Sequence, residues 1–459
     1  MANSLPSMSI VFWTQWFNAI MFDGNDQVFS NDDCPIPDDY KMESPKEWCT
    51  ITPSTDHVDT AAAIVFHAAD YYPTQVPAHI KNQPWILETQ ESPLTAPFRM
   101  ESEKMKVFDY LASYHLKSAY IFSYYSPAIF DVVNRPLPMD FMTVQKKKHK
   151  APIVWIARNC GASSGRQHYV EQLMQYIDVD SYGDCLNNKP FPKGKDRLQL
   201  MSEYKFYLAI ENANCDDYVT EKLFDTISVS TVPIVDGPTS YQGFIPDKNS
   251  VIRMDAFPDP RELAKYINYL DSNNTAYLEH LAFRRDALDI PTRDRLDSEF
   301  INNWSDPSIH NIKSNWCSLC RGILPWWQAR LTNPGDDDED DSAVSPILNE
   351  KEHDNLLLVD KSCMEPGKWD YAQKGPPYTP NWKKSTHPLT LLHEHKSPVE
   401  EFLSLEHSDA HTAHIVWTIE LIVGVLFMAF AAFVVYRGRF LRSQHSQRMK
   451  KPEIPLSTP

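Results

Sequence analysis

The feature that most constrains this chain lies between Ile153 and Val235, where short apolar runs alternate with stretches of helical spacing. Residues 153–157, 177–181, 206–210 and 232–235 read as strands, and 166–176, 195–203 and 220–228 as the helices between them. Strands separated by helices can pair only through crossovers, which makes a parallel sheet of βαβ units. Residues 261–271 and 276–287 read as closing helices. Ahead of this region, 9–17, 61–66 and 85–87 read as three further strands, while the spacing over 101–115 fits neither element. The basic, polar stretch 140–150 separates two strand-rich halves and is the expected domain boundary.

The totals narrow the function classes. A net charge of −17 over 459 residues argues against a nucleic-acid partner, because binding phosphates takes a basic surface. Part of that charge is the unbroken acidic run 336–341, which reads as solvated linker. Eight cysteines in a chain of this length do not make a disulfide scaffold. Cys317 and Cys320 form a lone CxxC with no second pair to complete a zinc site. Cys34, Cys49, Cys160, Cys185 and Cys363 can pair in an oxidising compartment, in a pattern the sequence leaves open.

The strand at 206–210 runs into the polar loop ENANCDDYVTEK, residues 211–222, before the next helix begins. Strand-to-helix loops of open α/β sheets are where ligands bind. Carboxylates, amides, an aromatic ring and a lysine suit the ribose and phosphates of a nucleotide, although an ordinary capped loop has the same residue types.

This loop resembles the donor-binding signature of the α1,3-fucosyltransferases, glycosyltransferase family 10, with Glu211, Asn212, Asp217, Tyr218, Val219, Thr220, Glu221 and Lys222 all in place. Thr231-Val232-Pro233-Ile234-Val235, Gly237-Pro238 and Tyr241-Gln242-Gly243-Phe244-Ile245-Pro246 are similar to the family as well, as are Glu91-Ser92-Pro93 and Val179-Asp180-Ser181-Tyr182-Gly183-Asp184-Cys185. The run from Phe108 to Ala119 departs from the family, which has an aspartate where this chain has Ala119. The resemblance covers roughly residues 11–321. It implies an α/β fold of the GT-B type, two Rossmann-like domains facing across a cleft: an acceptor-binding domain over 1–148 and a GDP-fucose-binding domain over 149–330.

The resemblance also implies the chemistry. Fucose would pass with inversion from GDP-β-L-fucose to the 3-hydroxyl of a GlcNAc residue on a glycoprotein glycan, the N-glycan core being preferred over N-acetyllactosamine. A protein hydroxyl stays open as acceptor, and an inactive carbohydrate-binding protein is the rival class. Single displacement needs one carboxylate to take the acceptor's proton, the part Glu91 would play. A phosphate leaving group needs cations, which Arg166 and Lys222 would supply. Glu221 would hold ribose hydroxyls, Tyr218 would contact ribose or diphosphate, and Glu211 and Asn212 would shape the loop around the sugar. No metal is expected as a requirement, Mn2+ or Mg2+ being at most stimulatory; Asp178 and Asp180 spell DxD but resemble a structural stretch. Cys317 and Cys320 match a family CxxC with a structural disulfide role.

Composition shifts after residue 330. Residues 331–413 read as a disordered acidic and proline-rich stalk, and 415–436 are apolar enough to cross a bilayer, with Glu420 near one interface. The tail 437–459 carries Arg437, Arg439, Arg442, Arg448, Lys450 and Lys451, which places it in the cytosol and the domains in the Golgi lumen on a single-pass anchor. Asn273 and Asn303 begin glycosylation sequons that such a placement would expose to modification. A strand at 9–17 leaves no room for a secretory signal, so lumenal domains imply a start upstream of Met1 or an unconventional entry, and a tail-anchored chain with cytosolic domains, whose charge asymmetry would be reversed, is the third option.

Overall fold

The apolar runs become strands buried on both faces, and they assemble into two separate sheets. The structure is a computed structural model that describes residues 4–125, 128–138, 141–142, 150–305, 315–332, 359 and 361–382. The first sheet holds β1 (Met8–Phe12), β2 (Gln27–Phe29), β3 (Cys49–Thr52), β4 (Ala63–His67), β5 (Trp85–Thr89), β6 (Tyr110–Ser113) and β7 (Tyr120–Ile121), in the order β2-β3-β1-β4-β5-β6-β7. Only β2 runs antiparallel. The second sheet holds β8 (Ile153–Ile156), β9 (Val179–Tyr182), β10 (Phe206–Ile210), β11 (Val232–Asp236) and β12 (Ile252–Arg253), in the order β12-β11-β10-β8-β9. Every pair in it is parallel.

Strand order decides where a ligand can sit. From β8 the chain winds first to β9 on one side, then returns to β10 on the other, so the crossovers part between β8 and β10. That divergence opens a crevice at the carboxyl ends of the strands. The carboxyl ends of β5 and β6 face the same crevice from the first sheet, as contacts described below establish. The molecule is therefore two Rossmann-like units facing across a cleft, the GT-B arrangement.

Three expectations need correction. The second domain does not keep residues up to 330: the helix Asn315–Thr332 returns to the first sheet, where Trp316, Leu319, Ile323, Leu324 and Trp326 pack with Ile10, Phe12, Ile51 and Tyr110. Each such side chain contributes about 1.5–3 kcal/mol on burial, and Trp326 Nε1 adds a 2.9 Å hydrogen bond to Tyr110 Oη. The helix expected over 276–287 is two pieces, Asn274–Glu279 and Ala282–Arg285. Between them His280 turns inward, with Nδ1 2.6 Å from the Asn249 carbonyl and Nε2 2.9 Å from Tyr266 Oη. The stalk is interrupted, because residues 361–382 fold onto the second unit with Trp369 and Ala372 fully buried. A disulfide and a few aromatic anchors hold that segment, a signal too sparse for composition to register.

The expected membrane span 415–436, the tail 437–459 and the rest of the stalk lie outside the described residues. Among the described residues no helix is long and apolar enough to cross a membrane.

Candidate active site

The loop after β10 is folded around one buried carboxylate. Glu211 is 1% exposed. It accepts hydrogen bonds from the Thr220 backbone N–H and hydroxyl, both at 2.9 Å, and its Oε2 lies 2.9 Å from Lys222 Nζ. Thr220 is the N-cap of the helix Glu221–Ser228. Glu211 thus ties the strand end to the helix start, closing the intervening residues into a tight loop. Lys222 Nζ also donates to Thr220 Oγ1 at 2.6 Å and sits 3.3 Å from Glu221 Oε1. Burial works against the lysine's charge, but Glu211 and Glu221 outweigh it and hold its pKa above the ordinary value. Burial has the opposite outcome for Glu211, whose pKa it raises despite Lys222.

Arg166 approaches the same strand end from the helix Arg166–Leu173. It is 4% exposed, and its Nη1 donates to the Ile210 carbonyl. Its Nε is buried without a hydrogen-bond partner, and so is Asn212 Oδ1. Buried polar atoms are rarely left unpaired, so this donor and this acceptor are open to a further partner. The residue before Arg166, Gly165, has φ +72°, and a Cβ there would come within 2.3 Å of Asp370 Oδ1. Only glycine fits that turn.

The first unit supplies Glu91. It follows β5, its N–H held by Thr89 Oγ1 at 3.1 Å and its carbonyl by Arg99 Nη1 at 2.9 Å. From across the cleft, Tyr218 Oη donates to Glu91 Oε2 at 3.0 Å. Asp217 makes a second clasp between the units: its Oδ2 accepts the Leu116 N–H at 3.1 Å and lies 3.0 Å from His115 Nδ1. Burial pushes the Asp217 carboxyl up, but His115, the Leu116 N–H and Lys117 outweigh it and set the pKa below the ordinary value. Tyr124 donates to the Gln90 carbonyl at 2.8 Å. Burial raises its pKa, and Glu91, Glu221, Glu211 and Glu88 add to the effect, which marks one acid-rich centre between the sheets.

The structure therefore brings Glu91, Tyr218, Glu211, Glu221 and Lys222 together, with Arg166 and Asn212 at the strand end beside them. One carboxylate from the first sheet is linked through Tyr218 to the loop that carries Lys222, and two cations stand on the second sheet's side, a disposition suited to group transfer from a phosphate ester. A cavity of about 620 Å³ opens nearby at the carboxyl ends of β8 and β9, lined by residues including Ile156, Arg158, Asp184, Phe191 and Arg197. It adjoins the signature helix through Arg197, which pairs with Asp225 and reaches Glu221 at 4.0 Å.

Other residues singled out in the sequence lie elsewhere. Asp180 is engaged by Lys189 at 2.8 Å and by Tyr204 Oη at 2.7 Å, while Asp178 points to Lys150 at 3.1 Å. Among the described residues no cluster of three or more His, Cys, Asp or Glu is placed to hold a metal. Cys317 and Cys320 stand one helical turn apart and are bonded to Cys34, in the turn after β2, and Cys49, in β3, not to each other. Cys160 pairs with Cys185 and Cys215 with Cys363, so all eight cysteines are used and the chain is more heavily stapled than its cysteine content suggested. Asn273 caps the helix Asn274–Glu279, and Asn303 Nδ2 donates to the Gly243 carbonyl at 3.3 Å. Ala119 packs against the core of the first sheet, so no acid faces the cleft at that position.

Tyr124, Cys215 and Asp236 escaped the sequence reading as site residues, and Asp217 was read only as part of the signature, without a role of its own in the site. Cys215 had a visible signal, an extra cysteine inside the signature loop. Asp236 had none, because its role depends on a partner 132 positions later.

Comparison with known proteins follows the same division. The model described as "Fucosyltransferase, N-terminal" matches residues 6–125, and "Glycosyltransferase family 10 (fucosyltransferase) C-term" matches residues 144–327. The chain is similar to GDP-fucose protein O-fucosyltransferase 3 of Gallus gallus, 31% identical over 251 residues, covering 51% of this chain and 52% of that protein. For the Bos taurus protein of that name the identity is 31% over 305 residues, covering 62% of each. For the Homo sapiens protein it is 29% over 301 residues, again covering 62% of each. The chain thus spans between half and two thirds of the length of these relatives. A crystal structure of α1,3-fucosyltransferase with GDP aligns at 18% identity and a TM-score of 0.44, covering 73% of this chain and 93% of that one. With both family regions matched in order, one over each sheet, the chain belongs to glycosyltransferase family 10, the fucosyltransferases.

Proposed function

We propose that this chain transfers L-fucose from GDP-β-L-fucose to an acceptor hydroxyl with inversion at the anomeric carbon. The observation that carries the reading is the Glu91 carboxylate held 3.0 Å from Tyr218 Oη, beside the loop that carries Arg166 and Lys222. Tyr218 occupies one carboxylate oxygen and leaves the other to accept the acceptor's proton. As the acceptor oxygen bonds to C1 of fucose, the bond from C1 to the diphosphate oxygen breaks and GDP departs with the electron pair. Arg166 and Lys222 stabilise that charge, the unpaired Nε of Arg166 being the donor left over for it. The nucleoside fits the cavity beside β8 and β9.

The relatives named protein O-fucosyltransferase favour a serine or threonine hydroxyl as acceptor over the N-glycan core GlcNAc expected from the sequence, with N-acetyllactosamine third. The acceptor would lie along the carboxyl ends of β1, β4 and β5, neighbours in the first sheet. There Trp16 and Phe17 stand exposed against the His67 ring, and the Asp70 carboxylate accepts the N–H groups of Phe17 and Asn18 at 2.7 and 3.1 Å. Four disulfides and two sequons favour an oxidising lumen such as the Golgi, with anchoring through 415–436. Two cations built into the site favour transfer without an obligatory metal, so chelation should slow turnover without abolishing it.

The test is product mass. The full chain, purified in detergent, is incubated with GDP-fucose and three acceptors: a folded serine- and threonine-bearing domain, a core-exposed N-glycopeptide, and N-acetyllactosamine. A deoxyhexose gained on the protein domain, and reduced about 10²–10⁴-fold by Glu91→Gln, is the expected result. Gain on a glycan alone reassigns the acceptor. GDP binding with no gain on any acceptor leaves a carbohydrate-binding protein.

A further inference from the structure

The segment 361–382 lies beyond the residues matched by either family region, yet it touches both loops that carry the donor-facing side chains. We infer that it is a strap that positions those loops, with Lys368 as its positioning residue. The inference rests on the donor reading above.

The strap is tied to the signature loop at four points. Cys363 is bonded to Cys215. The Met364 N–H donates to the Asn214 carbonyl at 2.7 Å, and the Asp216 N–H donates to Ser362 Oγ at 3.2 Å. The fourth tie runs through Asp236, at the end of β11. Lys368 Nζ lies 2.5 Å from Asp236 Oδ1, while Trp369 Nε1 and Asn214 Nδ2 both donate to Asp236 Oδ2 at 2.8 Å.

The strap grips the Arg166 loop as well. The Gly367 N–H donates to the Ser163 carbonyl at 2.7 Å, and the Trp369 N–H donates to the Ser164 carbonyl at 3.0 Å. Ser164 passes the restraint inward, its N–H donating to the Asn212 carbonyl at 2.9 Å and its hydroxyl to the Glu211 carbonyl at 3.0 Å. The Trp369 ring packs edge-on against Tyr169, one turn along the helix that Arg166 begins. The two loops contact each other and are both held by one segment.

Charge explains why a lysine is required. Asp236 is buried in the second sheet, and a bare carboxylate there would oppose a diphosphate bound at the neighbouring strand ends. Lys368, 6% exposed, neutralises it and reaches Asp255 at 3.6 Å. Trp369 and Trp382 flank the ammonium at 5.1 and 5.2 Å from their ring centres, and Trp382 Nε1 donates to the Lys368 carbonyl at 2.8 Å. The lysine is thus locked in place before any ligand arrives.

The experiment compares GDP affinity by calorimetry, and hydrogen exchange over 162–166 and 211–220, in the detergent-purified full chain and its variants. Lys368→Met should weaken GDP binding and raise the KM for GDP-fucose on the order of tenfold, leave the acceptor KM unchanged, and speed exchange in both loops. Lys368→Arg should recover part of the loss. Adding Asp236→Asn to Lys368→Met should also recover affinity, because no bare carboxylate then remains. If Lys368→Met binds GDP like the wild type, even with a lowered melting temperature, the inference is overturned while the donor reading stands. A wild-type chain that binds no GDP overturns the donor reading and the strap's role together.

Discussion

Tyr218 shows how much of this site rests on single contacts. Its phenol is buried with burial and Glu91 both raising its pKa, so it stays protonated and can only donate to the carboxylate. Tyr218→Phe keeps the ring against Tyr114 and removes the donor. A hydrogen bond to a charged group contributes about 1.5–3 kcal/mol, so kcat should fall at least tenfold with little change in GDP affinity, measured by steady-state kinetics alongside calorimetry. Glu88, three residues before the expected base, behaves differently. Burial pushes its pKa from 4.5 up to about 8, with Arg99 opposing. The folded chain therefore keeps a proton that the unfolded chain gives up, and stability falls as pH rises from about 4.5 towards 8. Glu88→Gln removes that dependence. Its melting temperature should exceed the wild type's at pH 8 and match it near pH 4.5, and equal shifts at both pH values would show that Glu88 is ionised when folded.

At the scale of elements, the loop after β10 decides whether the two sheets meet in register. Asp217 sits at φ +56°, a conformation that costs a non-glycine residue about 1–2 kcal/mol, and it reaches across to His115 and Leu116. Asp217→Gly relieves the strain and cuts the clasp. The melting temperature should stay close to the wild type's while kcat drops about tenfold or more through misplacement of Glu91 against the donor loop. The alternation in the second half was legible because β8, β10 and β11 are continuous, largely buried apolar runs, whereas β12, a two-residue strand, was missed. Pairing across the cleft was not, since nothing local in His115 or Tyr124 distinguishes them from ordinary polar residues near a strand end. Glu91 and Arg166 were legible only through likeness to a family, their surroundings being an unremarkable proline turn and a glycine loop. The strap was hidden for a further reason: Cys363, Trp369 and Trp382 are anchors spaced along a polar stretch, and their meaning depends on Cys215 and Asp236, far upstream.

Across the whole molecule, the chain leaves the first sheet before residue 150 and comes back with the helix Asn315–Thr332. That return is secured by Cys34–Cys317 and Cys49–Cys320, which join positions 283 and 271 residues apart. Replacing both Cys34 and Cys317 by serine should cost about 2–5 kcal/mol, seen as a lowered melting temperature, with GDP affinity retained because no donor-facing residue lies on the helix. A polypeptide that crosses between two units once leaves them on a ball joint, free to swivel in any direction. This one crosses three times: out before residue 150, back with the stapled helix Asn315–Thr332, and out again to the segment 361–382. Three links leave little freedom to swivel, so the cleft should open and shut along one path, returning Tyr218 to Glu91 each time.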